Sequence, residues 1–389
     1  MTQVNAQVLL TTTLALVLFG CSSPDEPAIP AQDASDPGTG SISPTDATTP
    51  VARFASVARA FQAQAESAGQ AMVVECQALG SASLAFQDNP SADLQSDAQL
   101  AWHLCYEQWQ RFSLFHQAAF NPAAQEELER SRRLINIRPF QPGYIDALPD
   151  YPYTGLVHET GMDLTLVNLL EQHQLMDLES PALGFPVVET LLWQSDPDTF
   201  WLTSGTDTDL AITRRHQYLT LATDHLLQQL QLAYSHWSGQ AGFTGLVERA
   251  QQRIVLTSLE RQIRQGLLNL AFTADAPDEP DWHHPSLVAG QGRRHLLARM
   301  HGLEALLRST DGAPGALESW IERSQLTVSG TALRDHLAEA LDALAALPAN
   351  APAGDPDRGT WERAVAAVTV LADDISTLRS QALPAQNAQ

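Results

Sequence analysis

Apolar side chains recur at every third or fourth position over most of the chain, the period of a helix packed along one face. In residues 52–87 the stripe runs through Val57, Phe61, Ala65, Ala68 and Met72. In residues 92–119 it runs through Trp102, Cys105, Tyr106, Trp109, Phe112 and Phe115 (or His116). Asp88-Asn89-Pro90-Ser91 lies between the two stripes and is a strong turn signal. Residues 134–153 break the period with Arg138-Pro139-Phe140, Gln141-Pro142-Gly143 and Leu148-Pro149-Asp150-Tyr151-Pro152. A helix is then expected over about 154–172, and a short one over 186–193. Pro186 suits the start of the short helix, because the N–H that proline lacks has no intrahelical partner in a first turn.

Long helices are expected over about 207–237, 244–273, 291–309, 331–346 and 357–382. The breaks carry Ala276-Pro277-Asp278-Glu279-Pro280, Gly312-Ala313-Pro314-Gly315 and the proline-containing stretch 348–356. No alternating β-branched run is long enough to nucleate a sheet. The pattern predicts an all-α protein of two tandem up-down helical-bundle halves packed together, residues 51–206 and 207–389. Met300-His301-Gly302-Leu303-Glu304-Ala305-Leu306-Leu307 can be laid on Phe185-Pro186-Val187-Val188-Glu189-Thr190-Leu191-Leu192, which hints at duplication between the halves.

The first 50 residues follow a different logic. Residues 8–19 are apolar apart from threonines, too short a run to span a bilayer as a mature helix. They lead into Leu18-Phe19-Gly20-Cys21, the form of a bacterial lipobox, although no Lys or Arg precedes the apolar run. Residues 1–20 are therefore expected to be a lipoprotein signal peptide. Cys21 is the lipidated residue on this reading, and residues 21–50, rich in Ser, Thr, Pro and Asp, form a flexible tether. Ser22 after the cysteine favours the outer membrane, and the implied location is the periplasmic face of the cell envelope.

The 389 residues carry a formal charge of −23, and all 22 basic residues are arginine. Such a surface repels nucleic acid and anionic lipid, so no nucleic-acid partner is expected. With Cys21 assigned to lipid, Cys76 and Cys105 remain. They lie almost symmetrically about the turn at 88–91, so an antiparallel helical hairpin sets them opposite each other. In an oxidising periplasm that placement predicts a disulfide, with two buried thiols as the plainer alternative.

Leu183-Gly184-Phe185-Pro186-Val187-Val188-Glu189-Thr190-Leu191-Leu192-Trp193 resembles the GxHxxE signature of the imelysin family. Gly184, Phe185, Glu189 and Trp193 keep the motif frame, while Pro186 stands at the histidine position. Gly143-Tyr144-Ile145-Asp146, Tyr151-Pro152-Tyr153-Thr154-Gly155, Glu171-Gln172-His173-Gln174-Leu175 and Arg214-Arg215-His216-Gln217-Tyr218 extend the resemblance, as does Glu279-Pro280-Asp281-Trp282-His283-His284-Pro285. The resemblance implies two four-helix-bundle-like halves, an envelope location and an association with iron or haem uptake, with uptake proteins of the envelope as partners. It also implies a metal site at the GxHxxE element, and the family takes its name from a reported peptidase.

A histidine and a glutamate at i and i+3 share one side of a helix and can hold a cation such as zinc or iron. Pro186 offers no ligand atom, so a divalent metal at Glu189 needs donors from elsewhere. His158, Glu159, Asp163 and Asp146 are the nearby candidates. Adjacent helical residues point about 100° apart, so His158 and Glu159 are not expected to bind one ion together. The plainer reading of Glu189 is a buried carboxylate held by backbone or by an arginine such as Arg138. His301 and Glu304 restore the spacing in the second half, and His283 and His284 could complete a second site there; a solvated helical face beside Arg299 and Arg308 is the alternative. No His-Glu-x-x-His zinc helix, Gly-x-Ser-x-Gly elbow or glycine-rich phosphate loop occurs, so no catalytic residue is assigned. The expected function is a lipid-anchored, non-catalytic binding protein, with a metal-dependent peptidase and a metal-free interaction protein as alternatives.

Overall fold

A computed structural model describes residues 54–148, 150–193, 201, 208–238, 242–270, 286, 288–308, 312–349 and 358–383. The expected signal peptide and tether, Cys21, His283 and His284 lie outside the described residues. Among the described residues there are helices and turns but no strand, with isolated bridges at Leu148–Tyr151 and Arg308–Pro314.

The first helix, α1 (Ala55–Asp88), buries Val57, Phe61, Ala65, Met72, Cys76, Leu79 and Phe86, a stripe at steps of three, four and seven. Helix α2 (Ala92–Phe112) begins at Ser91, whose hydroxyl accepts the N–H of Leu94, and it returns antiparallel to α1. Cys76 and Cys105 meet across this hairpin in a disulfide. The order continues through α3 (Gln125–Ile135), α4 (Leu166–Gln172), α5 (Phe185–Trp193) and α6 (Thr208–Ser235). Next come α7 (Glu248–Leu270), α8 (Gly292–Leu307), α9 (Ala316–Arg323), α10 (Gly330–Ala345) and α11 (Arg358–Ala382).

Helices α1, α2, α5 and α6 pack together with α3 on their flank, while α7, α8, α10 and α11 form a second group carrying α9. Helix α6 was expected in the second half, and it packs on α1, α3 and α5. Helix α2 lies along α8, and α1 reaches α7, α8 and α9, so residues 50–389 make one compact unit.

Two departures from the expected elements bear on function. The helix expected over 154–172 is confined to Leu166–Gln172, and residues 154–163 are turns. The cause is Arg214. Its guanidinium donates to the carbonyls of Leu156, Val157, Glu159 and Met162 at 2.7–2.9 Å, taking acceptors that a helix would need for its own ladder. The other departure is α3, whose strongly charged sequence buries only Ile135 and so carried no apolar stripe.

Candidate functional site

The motif helix α5 is held at its entry by Gly184. Its φ is +92°, and a Cβ there would sit 2.5 Å from the carbonyl oxygen of Ile135 and 2.7 Å from that of Leu134. Only glycine combines that left-handed conformation with so close a backbone approach. Pro186 occupies the first turn of α5, as its missing N–H allows. Every residue from Phe185 to Leu192 is buried, so Glu189 points a carboxylate into the interior.

Arg138 meets that carboxylate. Its Nη2 donates to Oε2 of Glu189, and the two side chains are 3% and 0% exposed. The backbone N–H of Ala289 donates to Oε1 at 2.9 Å, and the N–H of Val288 also faces the carboxylate. Burial pushes the Glu189 carboxyl up, opposed by the Arg138 charge and by these N–H groups. Burial would lower the Arg138 guanidinium, but Glu189 and Tyr106 outweigh it and hold the arginine firmly charged. The guanidinium also lies over the rings of Phe140 (4.7 Å) and Tyr106 (5.6 Å).

The other candidate ligands are gathered elsewhere. Asp146 accepts from Arg215 through both oxygens, at 2.6 and 2.9 Å, and His158 Nε2 lies 3.3 Å from its Oδ1. Burial alone would raise the Asp146 carboxyl; hydrogen bonds from His158 and Arg215 and the arginine charge overcome this and leave it below the usual range. Glu159 is exposed and caps its own turn, accepting the N–H of Gly161. Asp163 is exposed at the start of the segment leading to α4. His301 Nδ1 and Glu304 Oε2 face each other at 2.9 Å on a partly exposed surface. Arg299, expected beside them on a solvated face, is instead 2% exposed. It donates to Gln262 and Gln265, and burial lowers it to about 10.

The described residues contain no group of three or more His, Cys, Asp or Glu side chains placed to share a metal ion. Around Glu189 the donor set does not suit a cation. A guanidinium and backbone N–H groups take its oxygens, and Pro186 adds no ligand atom. Among the described residues, Asp146, His158, Glu159 and Asp163, the candidate donors to a metal at Glu189, are not grouped with it around one ion. The reason is electrostatic: residues 139–213 contain no Lys or Arg, and Arg138 before this stretch and Arg215 just after it each enter to neutralise one buried acid.

The same arrangement explains the Arg214–Tyr218 motif on α6. Arg214 and Arg215 grip the turns before α4, Gln217 donates to the carbonyl of Leu164, and Tyr218 donates to that of Ala182. The motif ties the irregular segment to the bundle.

The family model for imelysin (peptidase M75) matches residues 63–380. The chain belongs to the imelysin family. Two solved structures share the fold. An imelysin-like protein from Psychrobacter arcticum 273-4 is 16% identical, with a TM-score of 0.59, covering 86% of this chain and 96% of its own. A protein named as an iron-regulated protein A precursor, from Parabacteroides distasonis ATCC 8503, is 14% identical with the same TM-score of 0.59, covering 87% and 97%. Comparison with curated proteins gave no match. Among the described residues no helix is long and apolar enough to cross a membrane.

In this chain the motif glycine is a backbone requirement and the motif glutamate is half of an internal ion pair. The sequence pointed to Glu189 and named Arg138 as its plainer partner. Backbone donors to Glu189 were expected, but Val288 and Ala289 were not named as those donors, and neither was Arg215 as the partner of Asp146. The absence of basic residues over 139–213 was the available signal for Arg215.

Proposed function

We propose that this imelysin-family chain is a lipid-anchored envelope protein that serves iron or haem uptake as a non-catalytic binding component. The observation that carries the non-catalytic reading is the Arg138–Glu189 pair. With the motif histidine replaced by Pro186, the one remaining motif ligand is neutralised by an arginine and by backbone N–H groups. A carboxylate held this way is neither a free general base nor an open metal ligand. The lipobox at Cys21 supports the anchor. The iron or haem association rests on the family resemblance and on the printed name of one structural relative.

Gene deletion followed by complementation tests the proposal. The deletion strain is expected to grow poorly when iron is limiting or haem is the sole iron source. Growth is expected to return with the wild-type gene and equally with Arg138→Met/Glu189→Gln, which removes both charges while keeping an acceptor for the two N–H groups. Normal growth of the deletion strain would end the uptake reading. A folded double variant that fails to complement, or chelator-sensitive insulin cleavage by the purified protein, would restore a chemical role for Glu189.

A further inference from the structure

Four arginines converge where α3, α7 and α8 meet the chain that follows the 3-10 turn Ser113–His116. Arg261 donates through Nη1 to the carbonyl of Gln117 at 2.7 Å, and Arg253 donates through Nη2 to those of Ala119 and Phe120 at 3.3 Å. Arg132 donates through Nη2 to Gln265 Oε1 at 2.9 Å, and the same oxygen accepts from Arg299 at 3.3 Å. Among the described residues Glu129 is the one carboxylate bonded to any of the four. It takes Arg132 through one oxygen at 2.7 Å and Arg261 through the other at 2.8 Å.

This arrangement holds more positive charge than its one carboxylate neutralises. Among the described residues the buried Arg299 guanidinium bonds only to the uncharged amides of Gln262 and Gln265. Burial lowers it, with Tyr106 opposing the fall and the charge of Arg132 adding to it. Burial also lowers Arg132 against the pull of Glu129, and Arg261 adds to the fall. Burial and Arg261 lower Arg253 in the same direction. A charge taken out of water without a counter-charge is costly, and an anion from solution would offset it. The approach is over Arg261, whose side chain is 38% exposed, and Arg132, at 19%. Arg261 engages the protein through Nη1, so its Nε and Nη2 have no acceptor among the described residues. That edge presents two parallel N–H groups, a fork that fits two oxygens of an oxyanion.

We infer that Arg261 and Arg132 form a binding site for a small free tetrahedral dianion of the sulfate or phosphate type, two of whose oxygens meet Nε and Nη2 of Arg261. Arg253 and Arg299 add charge from behind without touching the anion. Once Glu129 has offset one of the four guanidinium charges, three remain, which favours a dianion over a monoanion. The site is independent of the Arg138–Glu189 pair and stands or falls apart from the uptake reading.

Calorimetric titration with sulfate at pH 7, with chloride holding the ionic strength constant, tests the inference. The full-length protein is expected to show one saturable site. Arg261→Met should weaken it about tenfold, and Arg261→Gln serves the same purpose should the first variant fail to fold. Glu129→Gln keeps an acceptor for both arginines and removes the competing charge, so it should tighten sulfate binding. Arg264→Met removes a more exposed arginine one turn along the same helix, paired with Glu260, and should bind as the wild type does. Absence of saturable binding, equal binding by a folded Arg261 variant, or an equal loss in Arg264→Met would overturn the site. Weaker binding by folded Glu129→Gln would overturn it as well. Acetate binding as tightly as sulfate would overturn the assignment to a dianion.

Discussion

Removing Arg138 gives the sharpest test of how Glu189 is held. In Arg138→Met the carboxylate stays fully buried with two backbone N–H donors and no counter-charge. Breaking one partner out of a buried pair costs about 3–5 kcal/mol. Protonation limits the loss. Against a usual value of 4.5, neutralising the carboxyl at pH 7 costs about 2.5 units times 1.36, or about 3.4 kcal/mol. The variant is therefore expected to lose about 3 kcal/mol at pH 7.

At pH 5 the same escape costs only about 0.7 kcal/mol, so the penalty should fall below about 1 kcal/mol. The sign follows from proton linkage: above pH 4.5 the unfolded variant ionises freely while the folded one resists, so the deficit grows with pH. Arg138→Met/Glu189→Gln has no charge to strand and should lie within about 1 kcal/mol of wild type at both pH values. Urea unfolding followed by circular dichroism at pH 5 and pH 7 measures all three proteins. A deficit of equal size at both pH values, or a loss under about 1 kcal/mol at pH 7, would show that the pair is solvated and the reasoning wrong.

Acid should destabilise the wild type well before carboxylates titrate. Burial holds His103 and His173 at about 4 and His116 at about 3, so stability is complete above the unfolded value of 6.5 and is lost as pH falls toward the folded values. At pH 5 the loss is about 2 kcal/mol for each such histidine, readable as a falling urea midpoint between pH 7 and 5; a flat midpoint would contradict their burial. Asp146 adds to this only near and below its usual 3.8, because its folded value is depressed. Gly184→Ala should destabilise markedly or prevent folding, since its Cβ would meet two backbone carbonyls at a positive φ; thermal melting that is unchanged would refute the entry geometry. Reducing the Cys76–Cys105 bond frees a loop of 29 residues and should cost about 3–4 kcal/mol on the chain-entropy account, seen as a lowered urea midpoint with dithiothreitol that a Cys76→Ala/Cys105→Ala variant reproduces without it.

The motif glutamate shows where reading by residue type reaches its end. A buried Glu beside a motif frame is compatible with a metal ligand or an ion pair, and both readings were available for Glu189. What separates them is whether a guanidinium reaches the carboxylate. Arg138 precedes Glu189 by 51 residues, and local pattern carries no information across that distance. The turns at 154–163 failed for a related reason. Their composition allows a helix, but Arg214, more than 50 residues downstream, claims the carbonyls. Helix α3 was missed because a mostly exposed helix on a bundle's flank has almost no apolar stripe to read.

The sequence by itself determined the helical class, most helix boundaries, the hairpin that joins Cys76 to Cys105 and the helix start at Pro186. All of these rest on periodicity and capping within a few residues of chain. Only the tertiary structure decided that α6 packs on α1, α3 and α5, that Arg138 and Arg215 neutralise Glu189 and Asp146, and that His116 is buried. These outcomes depend on burial, because a charge taken out of water must find its partner wherever the fold brings one, however distant in sequence.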